Sequence, residues 1–102
     1  MADVVVLYKT PKDAAAFDKY YAATHIPLAR KMPGLRKYQI SNGPVGSPAG
    51  PSGVHLVATL TFDSVAAIQA AFGSAEGKAT AADVPNFASG GADILIFDSK
   101  DA

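Results

Sequence analysis

Two side chains in the first helical segment of the sequence could carry out acid–base chemistry. His25 is one of only two histidines and follows Tyr21 by four residues, a spacing that places both side chains on one face of a helix. An imidazole titrates near neutral pH and can accept or donate a proton, whereas a phenol can hold a substrate oxygen by a hydrogen bond. We therefore predict catalytic roles for His25, as an acid or base, and for Tyr21, as the group that orients the substrate.

A structural role is the alternative for each histidine. Pro27 has no N–H group and leaves a carbonyl of the helix without its partner, so His25 could bind that carbonyl and fix a bend. His55 alternates with Leu56 and Leu60 in a strand-like stretch. If the two leucines pack against helices, His55 points to a partner subunit or to solvent, and we place it outside the catalytic site.

Four more aromatic residues are candidates for a ligand pocket. Aromatic walls suit a hydrophobic small molecule, although aromatic side chains at these spacings also pack ordinary cores. The sequence contains no local group of metal ligands, so we predict no metal site. We also predict no bound organic cofactor, with haem left open because it needs only one axial histidine. The candidate pocket residues are Tyr8, Phe17, Tyr20 and Tyr38.

The spacing of apolar residues predicts the elements that position these side chains. Alternating or branched apolar residues favour strands, and apolar residues at intervals of three and four favour helices. The first helix has two candidate N-caps: Thr10, in a capping-box spacing with Asp13 and with Pro11 at the first helical position, or Asp13 alone. Asp63-Ser64 offers an N-cap for the next helix, and Pro27 either kinks the first helix or divides it near Thr24. Residues 43–53 hold three Pro and four Gly, so we expect a mobile surface loop there. The expected strands are 3–9, 35–42, 54–62 and 93–98, and the expected helices are 14 to about 32, 65–72 and 74–83.

The elements follow one another in the order strand, helix, strand, strand, helix, strand. This order predicts an α+β fold of the ferredoxin-like type. Four antiparallel strands then form one sheet, and the helices cover one of its faces. The first and last strands are apolar on both sides, so the second face would expose an apolar surface. We predict a homodimer in which these sheet faces meet, with the alternative that the 43–53 loop folds over the face of a monomer.

Composition limits the classes of function. The 102 residues predict a single domain over residues 1–102. Nine basic and nine acidic residues give no net charge, and without a basic cluster we expect no binding to nucleic acid. No apolar stretch is long enough to span a membrane, and the first residues do not form a secretory signal. The sequence also has no cysteine, and we expect a cytoplasmic protein that does not bind membranes.

Residues 17–35 resemble a known family of small proteins. The stretch contains FDKYY at 17–21, HIPLA at 25–29 and PGL at 33–35, and the preceding strand ends in Tyr8-Lys9. This pattern resembles the EthD-like family, named for a protein associated with ethyl tert-butyl ether degradation. The resemblance implies the dimeric α/β-barrel fold, whose members include small monooxygenases, lactone isomerases and haem-binding enzymes. It thus implies a fold more firmly than a reaction.

Two functions from different classes fit these expectations. The first is an enzyme, or an accessory to one, in the oxidation or degradation of a hydrophobic oxygenated small molecule, with His25 moving a proton and Tyr21 holding the substrate. The second is a non-catalytic protein that binds such a molecule or supports a partner oxidase. Loss of turnover in a folded His25→Ala variant would favour the enzyme, and ligand binding without any turnover would favour the second function.

Overall fold

Six strands and four α-helices follow one another along residues 1–102, all of which the computed structural model describes. The strands are β1 (Ala2–Lys9), β2 (Lys37–Ile40), β3 (Gly46–Ser47), β4 (Gly50–Pro51), β5 (Val54–Phe62) and β6 (Ala92–Asp98). The α-helices are α1 (Ala14–Tyr20), α2 (Ile26–Arg30), α3 (Val65–Gly73) and α4 (Ala75–Asp83), with a π-helical turn at Tyr21–His25 and a 3₁₀ turn at Val84–Asn86. Apart from the short β3 and β4, this is the predicted order.

Four of the strands form one antiparallel sheet in the order β2-β5-β1-β6. The predicted ferredoxin-like α+β fold is therefore confirmed. Alternate residues of β1 and β5 are buried and join residues of the helices in one cluster of 15 buried apolar side chains. The molecule measures 34 × 34 × 18 Å, and its shortest dimension equals the thickness of one sheet and one layer of helices. The face of the sheet that bears Val5 and Leu95 is left without a covering layer in this chain.

The helical region after β1 is continuous and contains the π-helical turn between α1 and α2. Asp13 caps the start of α1 with its side chain, so the alternative of an N-cap at Thr10 is wrong. At the end of the π turn the N–H of Ile26 donates to the carbonyl of Tyr21, five residues back. This wider turn immediately precedes Pro27, which has no N–H to donate to a helical carbonyl. The predicted division near Thr24 is wrong, because the chain passes through that residue in a π-helical conformation.

β2 is shorter than the strand predicted at 35–42. Regular pairing with β5 covers only Lys37–Ile40. Beyond each end a single backbone hydrogen bond keeps the chain beside β5: Arg36 N donates to Thr61 O and Ser41 N donates to Val57 O, both at 2.8 Å. The predicted limits are therefore too wide, although the residues next to β2 still follow its neighbour.

The segment at 43–53, predicted as a mobile surface loop, lies at the surface and contains the short hairpin of β3 and β4. Polar contacts hold this segment in place. Ser52 Oγ donates to the carbonyl of Val45 at 2.6 Å, and Thr10 N donates to the carbonyl of Gly53 at 3.1 Å. Hydrogen bonds to the backbone thus order a segment that has few apolar side chains to bury.

α3 and α4 are joined through Ser74 and pack closely. Ser64 caps α3, and Ser74 Oγ accepts a hydrogen bond from Gly77 N at 3.0 Å to cap α4. A Cβ atom at Gly77 would lie 2.0 Å from the carbonyl oxygen of Ala71, so the two helices need glycine at this position. The predicted helices at 65–72 and 74–83 are confirmed within one residue at each end. None of the helices is both long and apolar enough to cross a membrane.

Candidate functional site

His25 forms a buried hydrogen bond with Asp83. The residue ends the π-helical turn and is only 3% exposed, and its Nδ1 lies 2.9 Å from Asp83 Oδ2. Because a carboxylate only accepts hydrogen bonds, Nδ1 carries the hydrogen and Nε2 keeps a lone pair. Nε2 makes no hydrogen bond within the protein, yet no fully enclosed polar side-chain atom lacks a partner. Nε2 therefore has no partner within the protein and is not completely enclosed.

Asp83 is held by side chains from three parts of the chain. It is the last residue of α4 and is 7% exposed. Its Oδ1 accepts hydrogen bonds from Tyr20 Oη at 2.5 Å and from Asn86 Nδ2 at 3.1 Å, while Oδ2 accepts from His25. Burial acts to raise the pKa of Asp83, but the hydrogen bonds from Tyr20, His25 and Asn86 outweigh it and lower that pKa. Asp83 is therefore an ionised carboxylate at neutral pH.

The pKa of His25 is lowered from its usual value of 6.5. Burial is the main cause, because removal from water disfavours the charged ring, and the hydrogen bond and negative charge of Asp83 offset only part of this effect. At neutral pH the pair thus consists of a neutral imidazole and a carboxylate. The imidazole can accept a proton at Nε2, and Asp83 would stabilise the imidazolium that forms.

A small space, which we call the inner cavity, lies beside His25 between the helices and the sheet. Its volume is about 40 Å³, enough for a group the size of one or a few water molecules. Three tyrosines, Tyr8, Tyr21 and Tyr38, together with Thr80 and His25, provide its polar lining. The other lining residues are apolar. The inner cavity therefore suits a reacting group rather than a whole aromatic molecule.

The tyrosines of the inner cavity are neutral hydroxyl groups. Burial is the main cause that raises the pKa of Tyr8, Tyr21 and Tyr38 above the usual 10.0. The hydroxyl oxygens of Tyr21 and Tyr38 lie 2.5 Å apart. Only one of these two hydroxyls donates in the hydrogen bond that they share, so the other keeps a donor for an oxygen atom in the cavity.

A larger space, which we call the outer cleft, shares Tyr21 with the inner cavity. It has a volume of about 570 Å³ and lies between the first helical region, residues 40–45 and residues 51–56. Tyr21 is the only residue that lines both spaces. The volume of the outer cleft falls in the usual range for small-molecule sites.

The structure gathers four of the six predicted site residues around the inner cavity: His25, Tyr21, Tyr8 and Tyr38. Phe17 and Tyr20 line neither the inner cavity nor the outer cleft. The ring of Phe17 stacks on Tyr21 with a centroid distance of 5.7 Å, and the hydroxyl of Tyr20 binds Asp83. These two residues therefore support the site from outside its cavities.

His55 lies on the helix side of the sheet, at the outer cleft. The register of β1 and β5 shifts between Tyr8 and Lys9, and this bulge breaks the alternation of side chains at His55. Its Nε2 lies 2.7 Å from Asp18 Oδ1, and its ring meets Phe17 edge to face at a centroid distance of 4.9 Å. The prediction that His55 faces a partner subunit or solvent is wrong for this reason.

Asp83 and Phe87 are the site residues that the sequence analysis missed. The ring of Phe87 lies against those of Tyr8, Tyr21 and His25 at centroid distances of 5.4, 5.6 and 4.6 Å. Asp83 ends an alanine-rich helix, where a charged residue is usually exposed. One signal was available, because an acidic residue at the C-terminal end of a helix is unfavourable to the helix dipole and indicates a partner elsewhere.

The space beside His25 does not fit a haem, because the inner cavity is far smaller than a porphyrin. No three His, Cys, Asp or Glu side chains come together in a way that could hold a metal ion. The titratable residues that line the inner cavity are His25 and three tyrosines.

The fold and the site define a ferredoxin-like α+β protein with a small, mostly apolar cavity beside a buried histidine–aspartate pair. The EthD domain model matches residues 9–91. An uncharacterised 11.0 kDa protein from the thcB-thcC intergenic region of Rhodococcus erythropolis is 40% identical over 101 residues, which cover 98% of this chain and 96% of that protein. The chain therefore belongs to the EthD family, as the resemblance of residues 17–35 implied.

Solved structures agree with this assignment. An EthD family protein from Bacillus halodurans superimposes with a TM-score of 0.89 at 37% identity, covering 98% of this chain and 99% of that one. SnoaB, a cofactor-independent oxygenase from Streptomyces nogalater, superimposes with a TM-score of 0.68 at 14% identity, covering 99% of this chain and 94% of that one. The second similarity shows a shared fold.

Proposed function

We propose that this EthD family protein is an enzyme that transfers a proton on a small, hydrophobic, oxygenated molecule, with His25 as the base. One observation carries the proposal: the buried His25 donates from Nδ1 to the carboxylate of Asp83, and His25 lines a cavity together with Tyr8, Tyr21 and Tyr38. A neutral base next to hydroxyl donors is the arrangement that proton abstraction beside a carbonyl requires.

The chemistry follows from the positions of these groups. Nε2 of His25 takes the proton from a carbon beside a carbonyl group, and the electrons of the C–H bond move to the carbonyl oxygen to give an enolate. A hydroxyl of Tyr21 or Tyr38 donates to that oxygen and stabilises its charge. Asp83 is a positioning residue, because it acts through His25 by fixing the ring and stabilising the imidazolium.

The sizes of the two spaces determine how such a substrate would bind. The inner cavity, at about 40 Å³, accepts only the reacting group. The body of the molecule would occupy the outer cleft of about 570 Å³, and the reacting group would pass the ring of Tyr21, which borders both spaces. Tyr21 would then both admit the reacting group and bind its oxygen.

Oxidation of the substrate without an organic cofactor is consistent with this chemistry. An enolate can react with molecular oxygen at carbon and, once a proton is returned, give a hydroperoxide. SnoaB, which shares the fold, is a cofactor-independent oxygenase, so this fold supports oxygen chemistry of that kind in another protein. This similarity supports the proposal at the level of the fold alone.

The proposal is tested by deuterium exchange. A panel of enolisable ketones and lactones is incubated with the protein in D₂O, and NMR follows exchange of the protons beside the carbonyl. The wild-type protein should accelerate exchange for at least one compound, and His25→Gln should lose about 10²-fold or more of that acceleration. Arg36→Gln is the control, because Arg36 pairs with Asp63 and lines neither the inner cavity nor the outer cleft. Equal exchange by the His25→Gln and wild-type proteins would overturn the proposal.

A second candidate is a non-catalytic binding protein or an accessory to a partner oxidase. The observation that favours it is the volume of the outer cleft, which is large enough to bind a small molecule without any reaction. The same panel separates the two functions. Binding of panel compounds without accelerated exchange would favour the second function.

A further inference from the structure

We infer that the outer cleft recognises an apolar molecule carrying a neutral hydroxyl group, which binds to the pair formed by Asp18 and His55. Nε2 of His55 lies 2.7 Å from Asp18 Oδ1, and both residues line the cleft. The inference deepens the proposed function and rests on it in one respect: the molecule held there would be the substrate of His25. Binding itself requires only the outer cleft.

The walls of the outer cleft are suited to an apolar body. Ile26 comes from α2, Val45 and Pro51 from the hairpin segment, and Leu56 from β5. These side chains surround a space of about 570 Å³, in which a ring with a short substituent fits. Apolar contact would thus supply most of the affinity but little orientation.

Most hydroxyl groups of the cleft are already engaged in holding its walls together. Thr10 Oγ1 donates to the carbonyl of Gly53, Ser52 Oγ donates to that of Val45, and Ser41 Oγ accepts from the N–H of Val57. The hydroxyl of Tyr21 shares a hydrogen bond with Tyr38. Asp18 and His55 are the remaining polar side chains, and Asp18 is the one carboxylate among the lining residues.

The pair keeps one carboxylate oxygen as an acceptor. Asp18 accepts from Nε2 of His55 at Oδ1, and its Oδ2 is left for a ligand. Neither Asp18 Oδ2 nor His55 Nδ1 makes a hydrogen bond within the protein. The free carboxylate oxygen favours a ligand that donates, such as an alcohol or phenol. It disfavours a carboxylate, which would bring a second negative charge next to Asp18.

The pair is held in place by the fold. The bulge between Tyr8 and Lys9 turns His55 toward α1, and the edge contact with Phe17 fixes its ring. Asp18 is on α1, one residue after Phe17. A side chain fixed in this way binds a ligand with a smaller loss of conformational entropy than a free one.

Three probes with one apolar body test the inference: 4-ethylphenol, ethylbenzene and 4-ethylbenzoate. NMR titration of the wild-type protein should give the tightest binding for 4-ethylphenol and the weakest for 4-ethylbenzoate, with shifts at residues of the outer cleft. Asp18→Asn and His55→Ala should each weaken binding of 4-ethylphenol about tenfold and change binding of ethylbenzene less than twofold. Circular dichroism verifies that both variants are folded.

The outcomes separate this inference from the proposed function. His25→Gln should bind 4-ethylphenol as the wild-type protein does, because His25 does not line the outer cleft. Equal affinity of the wild-type protein for 4-ethylphenol and ethylbenzene, or unchanged phenol affinity in both pair variants, would overturn the inference. Failure of deuterium exchange with intact phenol binding would instead count against the proton transfer at His25.

Discussion

Replacing Asp83 by Asn should destabilise the protein and lower the pKa of His25 still further. Asp83 is 7% exposed, and its two oxygens accept hydrogen bonds from Tyr20, His25 and Asn86. Asn has nearly the same shape, but it is neutral and presents an N–H₂ group in place of one oxygen. The hydrogen bond from one donor is therefore lost or, at His25, reversed by a shift of the ring hydrogen to Nε2, and the remaining hydrogen bonds lose their charge assistance.

The size of the effect follows from these contacts. A hydrogen bond to a charged group contributes about 1.5–3 kcal/mol, so the loss of one bond and the weakening of the others should lower the free energy of unfolding by about 2–4 kcal/mol. For a chain of this length that corresponds to a fall in Tm of at least about 8 °C. The hydrogen bond and charge of Asp83 act to raise the pKa of His25, so without them burial should depress that pKa further.

Urea unfolding, thermal melting and NMR titration of the His25 ring protons measure these effects. Asp18→Asn is the matched control, because it makes the same change beside the other histidine, where the Asp18 side chain is 60% exposed. An exposed pair contributes about 1 kcal/mol or less. The reasoning is refuted if both variants lose the same stability, or if the pKa of His25 rises in Asp83→Asn.

Four further outcomes are expected. The free energy of unfolding should fall as the pH drops below 6.5, because the unfolded chain then binds a proton on His25 that the folded chain binds only at lower pH. Urea titrations at several pH values should show this fall. Persistence of the fall in the His25→Gln variant would contradict the assignment. Gly77→Ala should lower Tm despite the helix preference of alanine, because the added Cβ would lie 2.0 Å from a backbone oxygen. Gly73→Ala is the control and should not lower Tm, because a Cβ at Gly73 meets open space. Leu95→Lys on the uncovered sheet face should convert the expected homodimer to a monomer, as measured by light scattering. Ile96→Lys is the control, because Ile96 is also about half exposed but lies on the other face, and this variant should stay dimeric. A monomeric wild-type protein would contradict the prediction of a homodimer. Because the pKa of every tyrosine is raised from 10.0, the native protein should show little tyrosinate absorbance at that pH, and absorbance equal to that of the urea-unfolded chain would be inconsistent with the enclosed tyrosine cluster.

The fold was predictable because its elements are encoded locally. The alternation of apolar residues defines β5, and short polar side chains mark the beginnings of α1 and α3. The right-handed connection of strand–helix–strand units then leaves few arrangements of four strands. No local pattern predicts the π-helical turn or the hydrogen-bonded hairpin at 46–51, because both depend on contacts made by the folded backbone.

The site was predictable only in part. The spacing of Tyr21 and His25 places them together because both lie within one helical region. Asp83 is 58 residues away from His25 in sequence, so only the packing of α4 against the first helical region reveals the pair. His55 was misplaced because a single bulge reverses the direction that strict alternation gives to a side chain.

The central claim is that Asp83 holds His25 as a neutral base with Nε2 free. NMR of the protein with ¹⁵N-labelled histidine, at about pH 7, measures it most directly, with His55→Gln to assign the two rings. The account predicts a hydrogen on Nδ1 of His25, none on Nε2, and a ring that stays neutral until the pH falls below 6.5. A hydrogen on Nε2 with Nδ1 bare, or a charged ring at neutral pH, would contradict it.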